Sequence, residues 1–375
     1  MLRRTNCTLP IEVFIPSPSD YDPYSCDVVL RSLNARCIVL PQFENTTITI
    51  ERYQYKSVAL LFTSFEHTLF LDADNFPLVD PTSWFDSTPY KTTGMITWPD
   101  FWANTASPVY YHLTNQTLPS IQNQHASTEA GSILISRSKH HRTLLLAFYY
   151  NLFGPGFYYE LLAQNGIGGE GDKETWVAAA NALGANYYQV RERNHALLTL
   201  EENQEEDLDQ VISMVQYDFV ADYELSTTPT RKPGSTNLEP PEIPTYRNRH
   251  DAQIVFLHCN RVKMNPAEVL ERLDDFHGRQ RMWGGKAKTV ERFGRDVEAE
   301  VWAEVIEVAC GFGETLLLGD GESERVCEDL RRFWWRVLME EELEERIWRE
   351  GEADAWRKVV WRPRVGHEDG VRRSG

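Results

Sequence analysis

Two carboxylates one residue apart, Asp72 and Asp74, are the residues best suited to chemistry; they stand in the run Leu69-Phe70-Leu71-Asp72-Ala73-Asp74-Asn75. Residues 68–71 read as a buried apolar strand ending at Asp72. Both acids are thereby carried to the carboxyl end of a strand, where α/β sheets bind their ligands. Hard oxygen donors suit Mg²⁺ or Mn²⁺, which bridges a nucleotide diphosphate and neutralises its leaving charge. Two other readings fail on neighbouring positions. A haloacid-dehalogenase-type phosphatase would want Thr or Val where Phe76 stands. An EF-hand loop opened at Asp72 would want Gly and Glu where Pro77 and Ser83 stand.

A second set, His258-Cys259-Asn260-Arg261-Val262-Lys263, follows the apolar strand expected at residues 254–257. An imidazole there completes a metal's coordination, while Lys263 meets a phosphate as a point charge and Asn260 adds a nucleotide contact. The competing reading is a strand–loop junction with an incidental His and Lys. A third set is Gly168-Gly169-Glu170-Gly171-Asp172-Lys173-Glu174. Its glycines let backbone approach a ligand closely and aim Asp172 into a cleft; plain capping of the following helix is the alternative. Glu129, ahead of Ala130-Gly131 and a strand, is a further candidate acid. Lys56, at the start of the helix leading to the Asp72 strand, is placed to neutralise a carboxylate or phosphate, or is an ordinary surface lysine. Neither a Gly-x-Ser-x-Gly elbow nor a Walker A loop is present, so hydrolase-triad and P-loop readings lack their starting motif.

The elements that must position these residues form an α/β pattern over residues 11–260, short apolar strands alternating with amphipathic helices. Strands are expected at 11–15, 37–40, 95–98 and 133–135. A helix over 56–66 would turn Val58, Leu61, Phe62 and Phe65 inward. Another over 142–152 would bury Leu145, Phe148, Tyr149 and Leu152, and Gly154-Pro155 would stop it, the glycine as a left-handed cap. A third spans 173–183. The Pro/Thr/Arg/Asn-rich stretch 222–250 reads as an exposed loop. From Ala267 onward charged helices take over, with Val326, Leu330, Phe333 and Val337 on one face. The expected domains are therefore 1–266 (catalytic), 267–362 (helical extension) and 363–375 (disordered tail).

Composition narrows the class further. An apolar share of 42%, with 11 Trp, 16 Tyr and 17 Phe, rules out a wholly disordered chain. The run Trp98-Pro99-Asp100-Phe101-Trp102 reads as an aromatic loop able to lay rings on sugar faces, core filling being the alternative. With 38 Lys+Arg against 56 Asp+Glu, the net charge of −18 opposes binding of nucleic acid. The acidic runs 201–209 and 340–345 read as solvated faces. The 6 cysteines form no CxxC pair, and the sequons at Asn6, Asn45 and Asn115 allow a lumenal, glycosylated protein with one or two disulfides. No apolar run approaches the ~18–20 residues of a membrane span.

Several stretches resemble fungal Golgi α-mannosyltransferases, the enzymes that extend mannan branches on secreted glycoproteins. They are residues 56–77 with Asp80-Pro81 and Phe85-Asp86-Ser87, residues 94–102, Tyr149-Tyr150-Asn151-Leu152-Phe153-Gly154-Pro155, residues 169–175, and Phe256-Leu257-His258. The similarity covers roughly residues 5–266. It implies a GT-A type sheet flanked by helices, GDP-mannose as donor, Mn²⁺ as metal, an oligomannose acceptor, and a place on the lumenal side of the Golgi membrane. It further implies metal ligation by Asp72, Asp74 and His258, diphosphate contact by Lys263, and Asp172 beside the reacting sugar carbon. Such enzymes carry a membrane anchor, a stem and a first nucleotide-binding strand ahead of the segment that matches Met1, and they assemble with other mannosyltransferases. A retaining α-1,2 transfer is the expected activity, α-1,3 staying open. The alternatives are a catalytically inactive relative that binds mannan or a partner, and a transferase using UDP-glucose or UDP-galactose.

Overall fold

The computed structural model describes residues 1–41, 49–119, 126–163, 171–198, 211–227, 252–272, 280–312 and 322–339. The strands are β1 (Ile11–Ile15), β2 (Ala35–Val39), β3 (His67–Leu71), β4 (Asn75–Pro77), β5 (Met95–Ala103), β6 (Ala126–Ser136), β7 (Tyr188–Gln189), β8 (His195–Leu198), β9 (Val211–Tyr217) and β10 (Ile254–His258). The principal helices are α1 (Gln54–Phe62), α2 (Arg137–Leu152), α3 (Thr175–Ala182), α4 (Phe219–Thr227), α5 (Lys286–Phe293), α6 (Val297–Phe312) and α7 (Glu322–Phe333). The protein is thus of mixed helix and sheet. Contacts divide it into two compact units: Leu9–Ala196 with Ser213–Asn260, and a second gathering Met1–Thr8, residues of 197–212, and the described chain from Arg261 onward.

In the first unit, β6 is the strand on which the rest is built. Every residue of it is buried, and its Ile133-Leu134-Ile135 end carries the branched side chains that pack on a pleated, covered surface. It pairs antiparallel with β3 on one side (Leu71 opposite Ser132) and β5 on the other (Met95 opposite Ile135), and β7 joins β5 in parallel. One cluster packs Leu60 of α1, Leu144 and Ala147 of α2, and Trp176 and Ala179 of α3 around Ile133 and Ile135. Another gathers Trp84, Trp98, Phe219 and Phe256 in edge-on ring contacts with centroids 5.0–5.8 Å apart, the geometry that ring quadrupoles favour. A second sheet runs β4-β10-β9-β8, with His258 opposite Asn75. β1 and β2 pair in parallel, and Cys26–Cys37 closes a disulfide onto β2.

Several expectations shift. The strand ending at Asp72 is only half-buried beyond Thr68. β5 continues to Ala103, so the aromatic run is strand and Trp98 is core. α1 ends at Phe62, because Glu12 accepts from the Thr63 hydroxyl at 2.7 Å and from the Ser64 amide and hydroxyl at 3.1 and 2.6 Å; Phe62 stays exposed while Val58, Ala59 and Leu60 go inward. α2 begins five residues early and turns the other way. His140, Thr143, Leu144, Ala147, Tyr150 and Asn151 are buried, and Leu145 and Tyr149 face solvent. Gly154 is not a left-handed cap: the chain continues in a wide turn, and a Cβ there would lie 2.4 Å from the Tyr159 ring. Residues 222–227 of the expected loop belong to α4. The rest of that loop, the acidic runs 201–209 and 340–345, the sequon at Asn45 and the tail 363–375 lie outside the described residues.

In the second unit α6 and α7 are clipped by Cys310–Cys327. Trp302 packs on Phe333 at 4.3 Å, with Leu330, Trp334 and Leu338 buried around them. Leu338 takes the inward place expected for Val337, because the chain after Phe333 winds into a wider π-turn that advances the register.

Candidate metal centre

The centre lies wholly in the first unit. Where β3 ends, the Asp72 amide donates to the Gly131 carbonyl at 2.9 Å, so the first acid is fixed to β6. The Asn75 amide donates back to the Asp72 carbonyl at 3.0 Å, and the Asn75 side chain donates to the same Gly131 carbonyl at 2.9 Å. The Cys259 amide donates to the Asp74 carbonyl at 2.9 Å, tying the second acid to the end of β10. The Asp72-Ala73-Asp74-Asn75 turn is therefore held by two sheets. One side-chain donor atom from each of Asp72, Asp74 and His258 can be chosen so that all lie within 4.8 Å of one another.

His258 sits between carboxylates. Its Nε2 is 3.1 Å from Asp74 Oδ1 and its Nδ1 is 3.1 Å from Glu129 Oε2. Burial alone would lower the imidazole, but the two carboxylates outweigh it and push it up to about 10. Glu129 is buried too, and burial would raise it. The His258 bond and charge, the Lys56 ammonium and the Gly131 amide at 2.6 Å nevertheless hold it at about 2. Lys56 Nζ donates to Asp72 Oδ2 at 2.8 Å and stands 3.9 Å from Asp172 Oδ2. Burial pushes the Asp172 carboxyl up to about 6 against the pull of Lys56, and raises Asp72 in the same way.

Asp172 does not cap α3 with its side chain. Its main-chain carbonyl accepts from the Thr175 amide and hydroxyl, at 3.0 and 2.6 Å, and its buried Oδ2 has no hydrogen-bond partner. Of the glycines before it, Gly171 has a left-handed φ of 89° and a Cβ there would lie 2.7 Å from the Tyr53 ring; Gly168, Gly169 and Glu170 lie outside the described residues. Asn260, at the end of the unit, has a buried Oδ1 without a hydrogen-bond partner. Lys263 belongs to the second unit. Asp72, Asp74, His258, Glu129, Lys56 and Asp172 are thus brought together. The sequence reading missed Gly131 and the structural part of Asn75; a glycine inside a strand is the usual sign that another group approaches the backbone.

Two carboxylates and one imidazole, delivered by separate strand ends, are a donor set for a divalent cation, with an ammonium and a further acid beside it. The Mannosyl_trans3 model, which describes a mannosyltransferase family, matches residues 1–126 and 121–218, more than half of the chain. The chain belongs to this mannosyltransferase family. The alpha-1,2-mannosyltransferase MNN24 of Candida albicans is 37% identical over 261 residues, 61% of this chain and 36% of the relative. MNN2 of Saccharomyces cerevisiae, also named an alpha-1,2-mannosyltransferase, is 36% identical over 259 residues, 59% of this chain and 42% of its own. MNN21 of Candida albicans is 31% identical over 387 residues, 88% of this chain and 57% of its own. The chain therefore spans between about a third and three fifths of the length of these relatives. Among the described residues no helix is long and apolar enough to cross a membrane.

Proposed function

We propose that this family member is the catalytic part of a metal-dependent retaining transferase with a GT-A type fold. It moves mannose from GDP-mannose to a mannose acceptor on glycoprotein mannan in the Golgi lumen, forming an α-1,2 bond. Residues 1–266 carry the reaction and the helices of 267–362 are an appendage. The observation that carries the reading is the convergence of Asp72, Asp74 and His258 donor atoms within 4.8 Å, in a chain whose relatives are named alpha-1,2-mannosyltransferases.

Asp72, Asp74 and His258 would hold Mn²⁺ or Mg²⁺, which when bound supplies positive charge to the diphosphate oxygens. With a metal in place of the Nε2 proton, Glu129 would keep the other proton on His258 Nδ1 and leave the Nε2 lone pair to the metal, the usual task of a carboxylate behind a metal-bound imidazole. Lys56 offsets the charge of Asp72 and Asp172 where both are largely shielded from water. Lys263 keeps the diphosphate contact that the resemblance implies for it, and Asn260 stays a candidate nucleotide contact from its place after β10.

Both Glu129 oxygens are engaged, by His258 and the Gly131 amide, whereas Asp172 Oδ2 accepts no hydrogen bond and has only the Lys56 ammonium, 3.9 Å away. Asp172 is therefore the better-suited carboxylate to face the anomeric carbon. It either stabilises positive charge there while the acceptor hydroxyl attacks, the hydroxyl proton passing to the leaving phosphate, or displaces GDP to form a transient glycosyl ester that the acceptor hydroxyl then opens, releasing the carboxylate and passing its proton to the GDP phosphate. The test is turnover of GDP-mannose with mannobiose. Asp74→Ala should lose about 100-fold or more in kcat/KM and most metal-dependent GDP affinity by calorimetry; turnover close to the parent's removes the metal role.

A further inference from the structure

Away from the metal centre, the first unit holds a cavity of about 410 Å³, within the roughly 300–1,000 Å³ range of small-ligand sites. Its walls come from the chain around Asn104, the stretch from Tyr111 to Pro119, and the face of α3 that carries Val177 and Asn181 one turn apart. Among the described lining residues Tyr111 is the only ionisable side chain, so a phosphate or carboxylate would find no cation there.

What the lining does offer is neutral amides. The Asn104 carbonyl oxygen accepts from the Ala106 amide at 2.9 Å, and its Nδ2 donates to Glu174 Oε2 at 2.8 Å. Gln116 Nε2 donates to the Thr114 hydroxyl at 2.7 Å. These bonds set which end of each amide is nitrogen; Gln116 also bonds the Tyr110 hydroxyl and Asn181 that of Tyr187, while Asn104 keeps a second N–H and the amide oxygens keep lone pairs for a ligand. Tyr111, Leu118 and Val177 add apolar wall. Groups that donate and accept without charge, set beside an apolar face, match a sugar ring, whose hydroxyls do both and whose C–H face is apolar.

We propose that this cavity is an acceptor subsite that binds a mannose unit of an α-linked mannan chain, with Asn104, Gln116 and Asn181 reading its hydroxyls and Tyr111 lying against the ring. The assignment rests on the mannosyltransferase reading above. Its connection to the metal centre is Glu174. That buried carboxylate holds Asn104 on the cavity side and accepts from the Ser127 hydroxyl (2.5 Å) and Thr128 amide (2.9 Å), directly ahead of Glu129 on β6. Asp172 lies two residues before it on the same turn.

The experiment has a binding arm and a kinetic arm, on the full chain and on Asn181→Leu and Tyr111→Ala variants whose melting temperatures stay close to the parent's. In the first, saturation-transfer NMR with mannobiose is run without donor or metal. The parent should show transfer to the sugar and both variants should lose most of it. In the second, the variants should raise the acceptor KM at least 10-fold while GDP affinity stays within about twofold. Mannobiose binding that is equal in parent and variants, or absent from the parent, overturns the subsite. So does an unchanged acceptor KM in a parent that transfers mannose. A parent that binds mannobiose through these residues yet transfers nothing keeps the subsite and refutes the transferase reading instead.

Discussion

A methyl group added to Gly131 would lie 2.7 Å from His258 Cε1 and 3.1 Å from its Nδ1. At that distance the ring or the strand has to move, since real Cβ atoms essentially never approach so closely. Gly131 also gives its carbonyl to Asp72 and Asn75 and its amide to Glu129, so it touches both halves of the donor set. Gly131→Ala is therefore expected to cost about 1–3 kcal/mol of stability by overpacking and, separately, to reduce Mn²⁺-dependent GDP affinity about 10-fold or more through the displaced imidazole. Calorimetry below the melting transition reads the second effect; full affinity in a folded Gly131→Ala protein would show that His258 placement does not matter to nucleotide binding. At this scale the sequence was most legible for Asp72, Asp74 and His258, because acids and an imidazole at strand ends leave a local pattern. Gly131 and Asn75 act through backbone bonds between strands distant in sequence, and nothing near them announces which carbonyl they will meet.

Strand ends were easier to find than helix faces, for a physical reason. A strand such as β6 is buried on both sides, so its apolar run marks it wherever the other layers fall. The inward face of α2 was misread because Leu145 and Tyr149 look like core. The face that packs beside α1 and α3 instead uses small and hydrogen-bonding residues: Ala147 lets the helices approach, and the Asn151 side chain donates to the Ala147 carbonyl and the Thr175 hydroxyl. The start of α3 has a similar polar joint in Glu174, whose carboxyl burial pushes up to about 7 against its bonds from Ser127 and Thr128. The sign follows from where the proton is held. Between about 4.5 and 7 the folded chain keeps a proton on Glu174 that the unfolded chain has lost, so stability falls as pH rises through that window. The shift from 4.5 to about 7 corresponds to roughly 3 kcal/mol. Denaturant melts at pH 5 and pH 7.5 should show the parent losing stability relative to Glu174→Gln by about that order. Parallel pH profiles for the two proteins would exclude Glu174 as the titrating joint.

Across the whole molecule the two units keep different kinds of charge inside. The first buries Glu129 and Asp172 beside Asp72, Asp74 and His258, and Glu174 at the start of α3. The second, whose sequence reads as charged surface helices, buries Arg281 and Glu298 as its own joint. Glu298 is fully buried and accepts from the Met282 and Trp283 amides at 2.5 and 3.3 Å, with Arg281 Nε at 3.5 Å. Arg281 in turn donates to Asp296 at 2.5 Å and to the Leu338 carbonyl at 3.1 Å. One pair thus joins the segment before α5, the start of α6 and the turn after α7, three stretches that periodicity read singly could not connect. Removing the carboxylate leaves Asp296 as the remaining ion-pair partner of the buried Arg281 and leaves two amides unpaired. Glu298→Ala is accordingly expected to destabilise by about 3–5 kcal/mol, and Glu298→Gln by less, because the amide oxygen still accepts from the Met282 amide and only the longer bond from Trp283 is lost. Hydrogen exchange followed by mass spectrometry tells where the loss falls. Faster exchange should concentrate in peptides from Arg281–Trp283, α6 and α7, with the strands that carry Asp72 and His258 protected as in the parent. Equal protection of α6 in the Ala variant and the parent would mean that the pair is an ornament of the second unit rather than its joint.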